Sequence, residues 1–263
     1  MSTGGSAELR DVYEGHYAAE GSAADLYGGW RELCGEGKAD HVAELVRRLP
    51  GSPRTVAEVG CGDGVLLTLL ARRGVGERLH GFEISERAVA IAAGRPEIER
   101  VERFDGAALP APDGAYDLGV LSHVLEHVPE PAPLLAEVAR ACRAVVIEVP
   151  LEANRSASRP AAQVARRELG HLHRFSRSAV RRLVGEAGLR IEANLTDPLP
   201  RAVHLYFART RAERARALAK AGVRRGLFTL APRVAERAFT VHYACLCLPE
   251  QGVAGAGGVR EPA

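Results

Sequence analysis

Short apolar runs alternate with helical patterns along the middle of this chain. Thr55–Val59, Arg78–Ile84, Ile98–Phe104, Tyr116–Leu121 and Ala144–Val149 read as strands. Val65–Arg73, Glu86–Ala93 and Pro131–Cys142 read as the helices between them. Gly74 stops the first helix, Gly94 and Pro96 close the second, and Pro131 suits the first turn of the third. The unbroken apolar stretch Ala144–Val149 predicts a strand covered on both faces. Further on, Ser176 can cap a helix that ends at Gly188, and Leu189–Leu195 and Thr240–Leu248 are late strands. Ahead of the first strand, Val42, Leu45, Val46 and Leu49 fall at helical spacing within 38–49. Tyr13, Tyr17, Tyr27 and Trp30 mark a helical segment before that, with core packing the expected role of Trp30.

Strand–helix alternation implies right-handed crossovers and a parallel sheet. The expected fold is α/β, a Rossmann-like doubly wound, mostly parallel seven-stranded sheet with helices on both faces. It divides into an N-terminal helical cap (1–50), a core (51–200), a basic helical insertion or lid (201–237), the final strand (238–250) and a disordered tail (251–263). Residues 1–8 are a second expected tail. Ligands of such sheets bind at the carboxyl ends of the strands, so the residues after each strand carry the chemistry.

Composition removes some classes of function. No apolar run is long enough to cross a membrane, and Met1–Leu9 lacks the pattern of a secretory leader. Five scattered cysteines without a CxxC pair fit reduced thiols in a cytoplasmic protein better than a disulfide or zinc framework. Formal net charge is +2, but residues 201–237 hold ten Lys or Arg against Glu213 and Glu236. A solvated helix face is the plain reading of that excess. Attraction of an anionic partner is the sharper one, with Arg224 and Arg225 as the residues to test. Leu218, Val223, Leu227, Phe228 and Leu230 would pack the segment onto the core or line a pocket.

The first strand runs into Glu58-Val59-Gly60-Cys61-Gly62-Asp63-Gly64, and a helix follows at once. Val65 stands where a dinucleotide fingerprint needs its third glycine, and no Walker lysine follows. Glu83 lies about twenty residues past the glycines, the separation at which an acid holds ribose hydroxyls. Phe104-Asp105-Gly106 ends the third strand, and Ser122-His123-Val124-Leu125-Glu126-His127-Val128 follows the fourth. This series resembles the class I S-adenosylmethionine-dependent methyltransferases, in the ubiquinone-type (type 11) group, from about Tyr17 to Leu195. The resemblance implies S-adenosylmethionine as cofactor. It implies contacts from Tyr17, Glu58, Gly60, Cys61, Gly62, Glu83, Ile84, Asp105, Gly106 and Ser122, with Asp105 on the adenine amine. Tyr17 or Trp30 could cover the cofactor.

Transfer of an activated methyl needs an aligned acceptor and, for a hydroxyl, a base. Candidate bases are His123, His127, His171 and His173. His123, Glu126 and His127 share a face if their stretch is helical. They resemble the E-x-x-E-H metal element of small-RNA 2′-O-methyltransferases and ubiquinone-type O-methyltransferases, with Gly170–Phe175 supplying the further histidine. Histidine replaces the first glutamate here, which favours zinc, iron or manganese over magnesium. Glu126, His127 and His171 are the candidate ligands of a divalent metal, which is a less favoured cofactor than none. The expected function is methyl transfer to O or N of a small secondary-metabolite, sugar or lipid-type acceptor. A metal-assisted nucleic-acid methyltransferase is the alternative, and a non-catalytic cofactor-binding partner subunit is a third reading.

Overall fold

The computed structural model describes Glu14, Tyr17 and residues 22–250. Tyr13 and the expected tails lie outside the described residues. The chain opens with α1 (Ser22–Val46), β1 (Thr55–Val59), α2 (Val65–Arg72), β2 (Arg78–Glu83), α3 (Glu86–Ala93), β3 (Arg100–Arg103) and β4 (Leu118–Ser122). It continues through α4 (Pro131–Ala141), β5 (Val145–Pro150), α5 (Pro160–Glu168), α6 (Arg177–Glu186) and β6 (Leu189–Asp197). It ends with α7 (Arg201–Leu205), α8 (Arg211–Leu230), α9 (Pro232–Ala238) and β7 (His242–Pro249).

The seven strands form one sheet in the order β3-β2-β1-β4-β5-β7-β6. The first five are parallel, and β7 runs antiparallel to both β5 and β6. The sheet reverses its winding between β1 and β4, so a crevice opens at the carboxyl ends of those two strands. Two of the expectations shift. Tyr27, Trp30 and residues 38–46 belong to one long helix, α1, which continues through Gly35 and Gly37, while Tyr17 lies in a turn ahead of it. Tyr116 falls short of β4 and makes only an isolated bridge to Cys142. Helix α5 was not foreseen; it buries none of its residues, so it leaves no apolar stripe to read.

Alternate residues of β5 separate the two layers of the core. Val145, Ile147 and Val149 pack with α4 and α6 residues such as Leu135, Val138 and Val180. Val146 packs on the other face with Val42, Leu67 and Leu70 from α1 and α2. Glu148 shares that second face and is 1% exposed. Side-chain caps open three of the helices. Ser85 accepts from Ala88 N, Ser176 from Ala179 N, and Thr210 forms a reciprocal capping box with Glu213.

Helices α7–α9 fill the connection between β6 and β7. That connection leaves β6 and enters β7 at the end of the sheet where the crevice lies. Arg177 on α6 grips Glu236 on α9 through two hydrogen bonds and stacks on Tyr243, at 4.8 Å from the ring centre. Leu227 and Phe228 pack against the core, but Val223 and Leu230 stand exposed at 70% and 86%. The expected inward stripe of α8 is therefore narrower than its sequence implied. All five cysteines are free. No helix among the described residues is long and apolar enough to cross a membrane.

Candidate active site

The glycine turn after β1 is held open by backbone geometry that side chains resist. Gly60, Gly62 and Gly64 all have positive φ, at 76°, 55° and 75°. A Cβ on Gly60 would come within 2.6 Å of Val124, and one on Gly62 within 2.4 Å of the Tyr17 hydroxyl. Glu83, 4% exposed, braces the turn from the end of β2. One of its oxygens accepts from Gly62 N at 2.8 Å, and the other from Ile84 N and Ser85 N at 2.8 and 3.0 Å. Burial pushes the Glu83 carboxyl upward, and these three donors pull it back.

A cavity of about 1350 Å³ starts at this turn and continues past the ends of β4 and β5 to helices α7 and α8. All ten residues expected to touch the cofactor line it. Tyr17, Glu58, Gly60, Cys61 and Gly62 come from the β1 side. Glu83, Ile84, Asp105, Gly106 and Ser122 follow the ends of β2, β3 and β4. Tyr17 reaches over Gly62 with Arg31 stacked 5.1 Å above its ring, and burial raises its phenol. Arg31 also pairs with Asp63 at 2.7 Å, tying α1 to the glycine turn. Asp63 is 5% exposed, and with this charged partner it clamps the turn in place. Asp105 accepts from Ala107 N and Ala108 N, which fixes its carboxylate at the cavity rim. The Ser122 hydroxyl and one Glu58 oxygen are buried without hydrogen-bond partners, and burial raises Glu58 well above its usual range. Trp30 is half-buried at the rim against Tyr206 and Phe207, at 5.3 and 4.8 Å, so core packing is not its role.

Of the four candidate bases, His123, His127 and His171 line the cavity, and His173 does not. His173 Nε2 donates to Val128 O at 2.9 Å and anchors the loop after β4. Residues 123–127 form a turn instead of the helix that would have aligned His123, Glu126 and His127. His123 occupies a positive φ of 58°, an uncommon state for a residue with a Cβ, held by its N–H to Glu148 O. Chain contacts still gather the cluster. Glu126 O accepts from both Leu172 N and His173 N, which carries His171 to His127 with ring centres 4.7 Å apart. The donor atoms of Glu126, His127 and His171 all lie within 4.8 Å of one another.

Charges in this cluster are strongly coupled. Burial pushes Glu126 up, but His123 and His127 outweigh it and hold the carboxyl below its usual value. Burial lowers His127 to about 4. His171 Nδ1 lies 2.9 Å from a Glu152 oxygen, and both residues face the cavity. Beyond the histidines the wall turns basic, with His204, Lys220 and Arg224. Arg224 stacks on Phe239 and donates to Thr240 O, and its Nε is buried without a partner. Arg225 is not part of that wall. Sequence reasoning missed Glu152, Lys38, His204 and His242 as cavity residues, because no local spacing links them to the motifs.

A family described as a methyltransferase domain matches residues 31–194. A ubiquinone biosynthesis O-methyltransferase from Thiobacillus denitrificans is 37% identical over 100 residues, 35% of this chain and 41% of that protein. Another, from Albidiferax ferrireducens, is 30% identical over 135 residues, 47% of this chain and 51% of that protein. The matches thus span about half or less of these relatives. Among solved structures, geranyl diphosphate methyltransferase with S-adenosylmethionine has a TM-score of 0.60 at 12% identity, covering 82% of this chain and 85% of that one. The [4+2]-cyclase SpnF has 0.56 at 22% identity, covering 82% and 81%. With the family match over residues 31–194, the chain belongs to the methyltransferase domain family, and its seven-stranded sheet has the fold of those solved structures.

Proposed function

We propose that the chain transfers a methyl group from S-adenosylmethionine to a hydroxyl oxygen of a small, anionic acceptor. The observation that carries this reading is the single cavity leading from the glycine turn, past His123 and His171, to Lys220 and Arg224. At about 1350 Å³ it exceeds the ~300–1,000 Å³ of a pocket for one drug-sized ligand, which leaves room for cofactor and acceptor together.

Glu83 would hold the ribose hydroxyls, Asp105 the adenine amine and the Gly60–Gly62 backbone the amino-acid end. When bound, the cofactor supplies a methyl already activated as a sulfonium substituent. The protein's part is alignment and proton removal. The Glu152 carboxylate keeps the His171 proton on Nδ1, which leaves Nε2 to accept the proton of the acceptor hydroxyl. Lys220 and Arg224 would hold a carboxylate or phosphate at the far end. Choice of oxygen over nitrogen follows the named activity of the relatives in ubiquinone biosynthesis. The small-molecule reading follows the concave shape of the cavity.

Glu126, His127 and His171 also fit a divalent ion. Both Glu126 oxygens are fully buried without hydrogen bonds, and Gly170 O and Glu152 stand behind the two imidazoles. A metal there would polarise the acceptor oxygen in place of base action by His171.

The test follows labelled methyl from S-adenosylmethionine into hydroxylated acceptors with and without an acidic substituent. Transfer favours the acidic set, and His171→Ala lowers turnover by about 10²–10⁴-fold with cofactor affinity intact. Cofactor binding without transfer to any hydroxylated acceptor defeats the proposal, and transfer to RNA alone supports the nucleic-acid alternative.

A further inference from the structure

On the floor of the cavity, a second group of histidines surrounds Glu148. This residue projects from β5 into the layer that holds Val42, Leu67 and Val146, where an uncompensated carboxylate costs several kcal/mol. His242 Nδ1 lies 3.2 Å from its Oε1, and His123 Nε2 lies 3.6 Å from the same oxygen. The rings of His123 and His242 are 4.6 Å apart at 64°. These spacings do not resolve into hydrogen bonds. Glu148 Oε1 and His123 Nε2 are both buried without a hydrogen-bond partner, although they face each other.

The same spacings suit another arrangement. Three donors bound to one ion at ~2.0–2.1 Å in tetrahedral geometry stand about 3.3–3.4 Å from each other. The two measured edges bracket that value, and all three donor atoms lie within 4.8 Å of one another. We infer that His123 Nε2, Glu148 Oε1 and His242 Nδ1 form a binding site for a divalent transition-metal ion of the zinc class, distinct from the Glu126–His127–His171 set.

The surroundings have the form that metal ligands require. A ligating imidazole is normally oriented by a carboxylate or carbonyl on its other nitrogen, and a ligating carboxylate by a hydrogen bond on its second oxygen. His123 Nδ1 lies 3.1 Å from Glu126 Oε1, and His41 Nδ1 lies 3.3 Å from Glu148 Oε2. His41 is in turn 3.9 Å from Asp197. Glu126 and Glu148 bring two negative charges to this buried floor, and Lys38 brings one positive charge to it. Two imidazoles with one carboxylate favour zinc, iron or manganese over magnesium or calcium. His123 and His242 both line the cavity, so the fourth position of the ion opens toward it, as in catalytic rather than structural sites. An oxygen bound there would lose its proton more readily. That use of the ion rests on the proposed methyl transfer to a hydroxyl. The site itself does not, and it is measured without cofactor or acceptor.

Chelator-stripped protein is titrated with Zn²⁺ by calorimetry and with Co²⁺ by visible absorption, which reports tetrahedral nitrogen and oxygen ligation. The parent binds an equivalent of Zn²⁺ that is weakened by more than about a hundredfold in His242→Gln, while His171→Ala retains it. Glu148→Gln gives the same loss where it folds, and His242→Gln, on a partly exposed side chain, carries the test where it does not. Glu126→Gln, which removes the charge behind His123 as well as a ligand of the neighbouring set, costs the His123–Glu148–His242 site about 10- to 100-fold. Failure of the folded parent to bind either ion overturns the site. So does an ion lost in His171→Ala and kept in His242→Gln, which would place it on the neighbouring set.

Discussion

Replacing Glu83 with glutamine keeps the shape of the side chain and changes only its charge and one atom. Its amide oxygen can still accept from Ile84 N and Ser85 N, now without charge assistance. The new NH₂ faces Gly62 N–H, which held a carboxylate oxygen at 2.8 Å, so two donors meet. Leaving one buried N–H unmet costs roughly 1–3 kcal/mol, and losing charge assistance on the other two bonds costs up to about 1 kcal/mol each. A total of about 3 kcal/mol lowers Tm by roughly 6–12 °C in a domain of this size. A ribose hydroxyl held by the same carboxylate adds a separate loss. One hydrogen bond to a charged group, at ~1.5–3 kcal/mol, converts to roughly 10- to 150-fold in Kd for S-adenosylmethionine. Thermal unfolding and calorimetric titration read the two effects independently. A lower Tm with unchanged Kd would leave Glu83 as a brace for the glycine turn and place the ribose elsewhere. Neither quantity moving in a folded sample would refute the reasoning for both roles.

Gly62→Ala puts a Cβ 2.4 Å from the Tyr17 hydroxyl at a φ of 55°, so cofactor Kd rises at least about tenfold by titration, and adding Tyr17→Phe recovers part of the loss. Arg224→Gln raises the KM for an anionic acceptor about tenfold and flattens its salt dependence, whereas Arg225→Gln leaves both unchanged in steady-state kinetics. His204 is lowered to about 4 by burial and by the charges of Arg224 and Lys220. The unfolded chain therefore takes up a proton below its usual 6.5 that the folded state refuses, and stability from this group falls as pH drops from 6.5 toward 4. Thermal scans should show a smaller acid loss for His204→Asn than for the parent. An equal loss would mean that His204 is not held neutral.

The residues expected to meet the cofactor share one cavity because most of them sit on local grammar. All but Tyr17 lie at or just past a strand end, and Gly60, Gly62 and Gly64 mark a tight turn between β1 and α2. The acceptor side was harder to read. His171 and Glu152 are nineteen residues apart and meet through a loop whose path is set by Glu126 O accepting from Leu172 N and His173 N. His41, His123 and His242 come from α1, the β4 turn and β7, so no window of sequence contains the Glu148 cluster. The turn at His123–His127 shows the limit of pattern reading. Its spacing matched a helix face, but the residues converge because His123 takes a left-handed conformation and hydrogen-bonds across to β5. The antiparallel β7 was legible as a strand and not as a direction, since direction depends on which sheet edge the chain has reached.

The position of β7 bears on how this protein is made. It pairs with β5 through Val145–Pro150 and with β6 through Leu189–Asp197, and it supplies His242 to the cavity floor. During synthesis, β5 and β6 emerge long before the strand that separates them. Until residues 242–249 leave the ribosome, the apolar edge of β5 has no partner, and a nascent chain exposing such an edge is prone to pair with a neighbour. Ribosome-stalled chains ending near residue 241 should therefore recruit chaperones and aggregate on release, whereas chains extended beyond β7 by a neutral tether should fold while still attached.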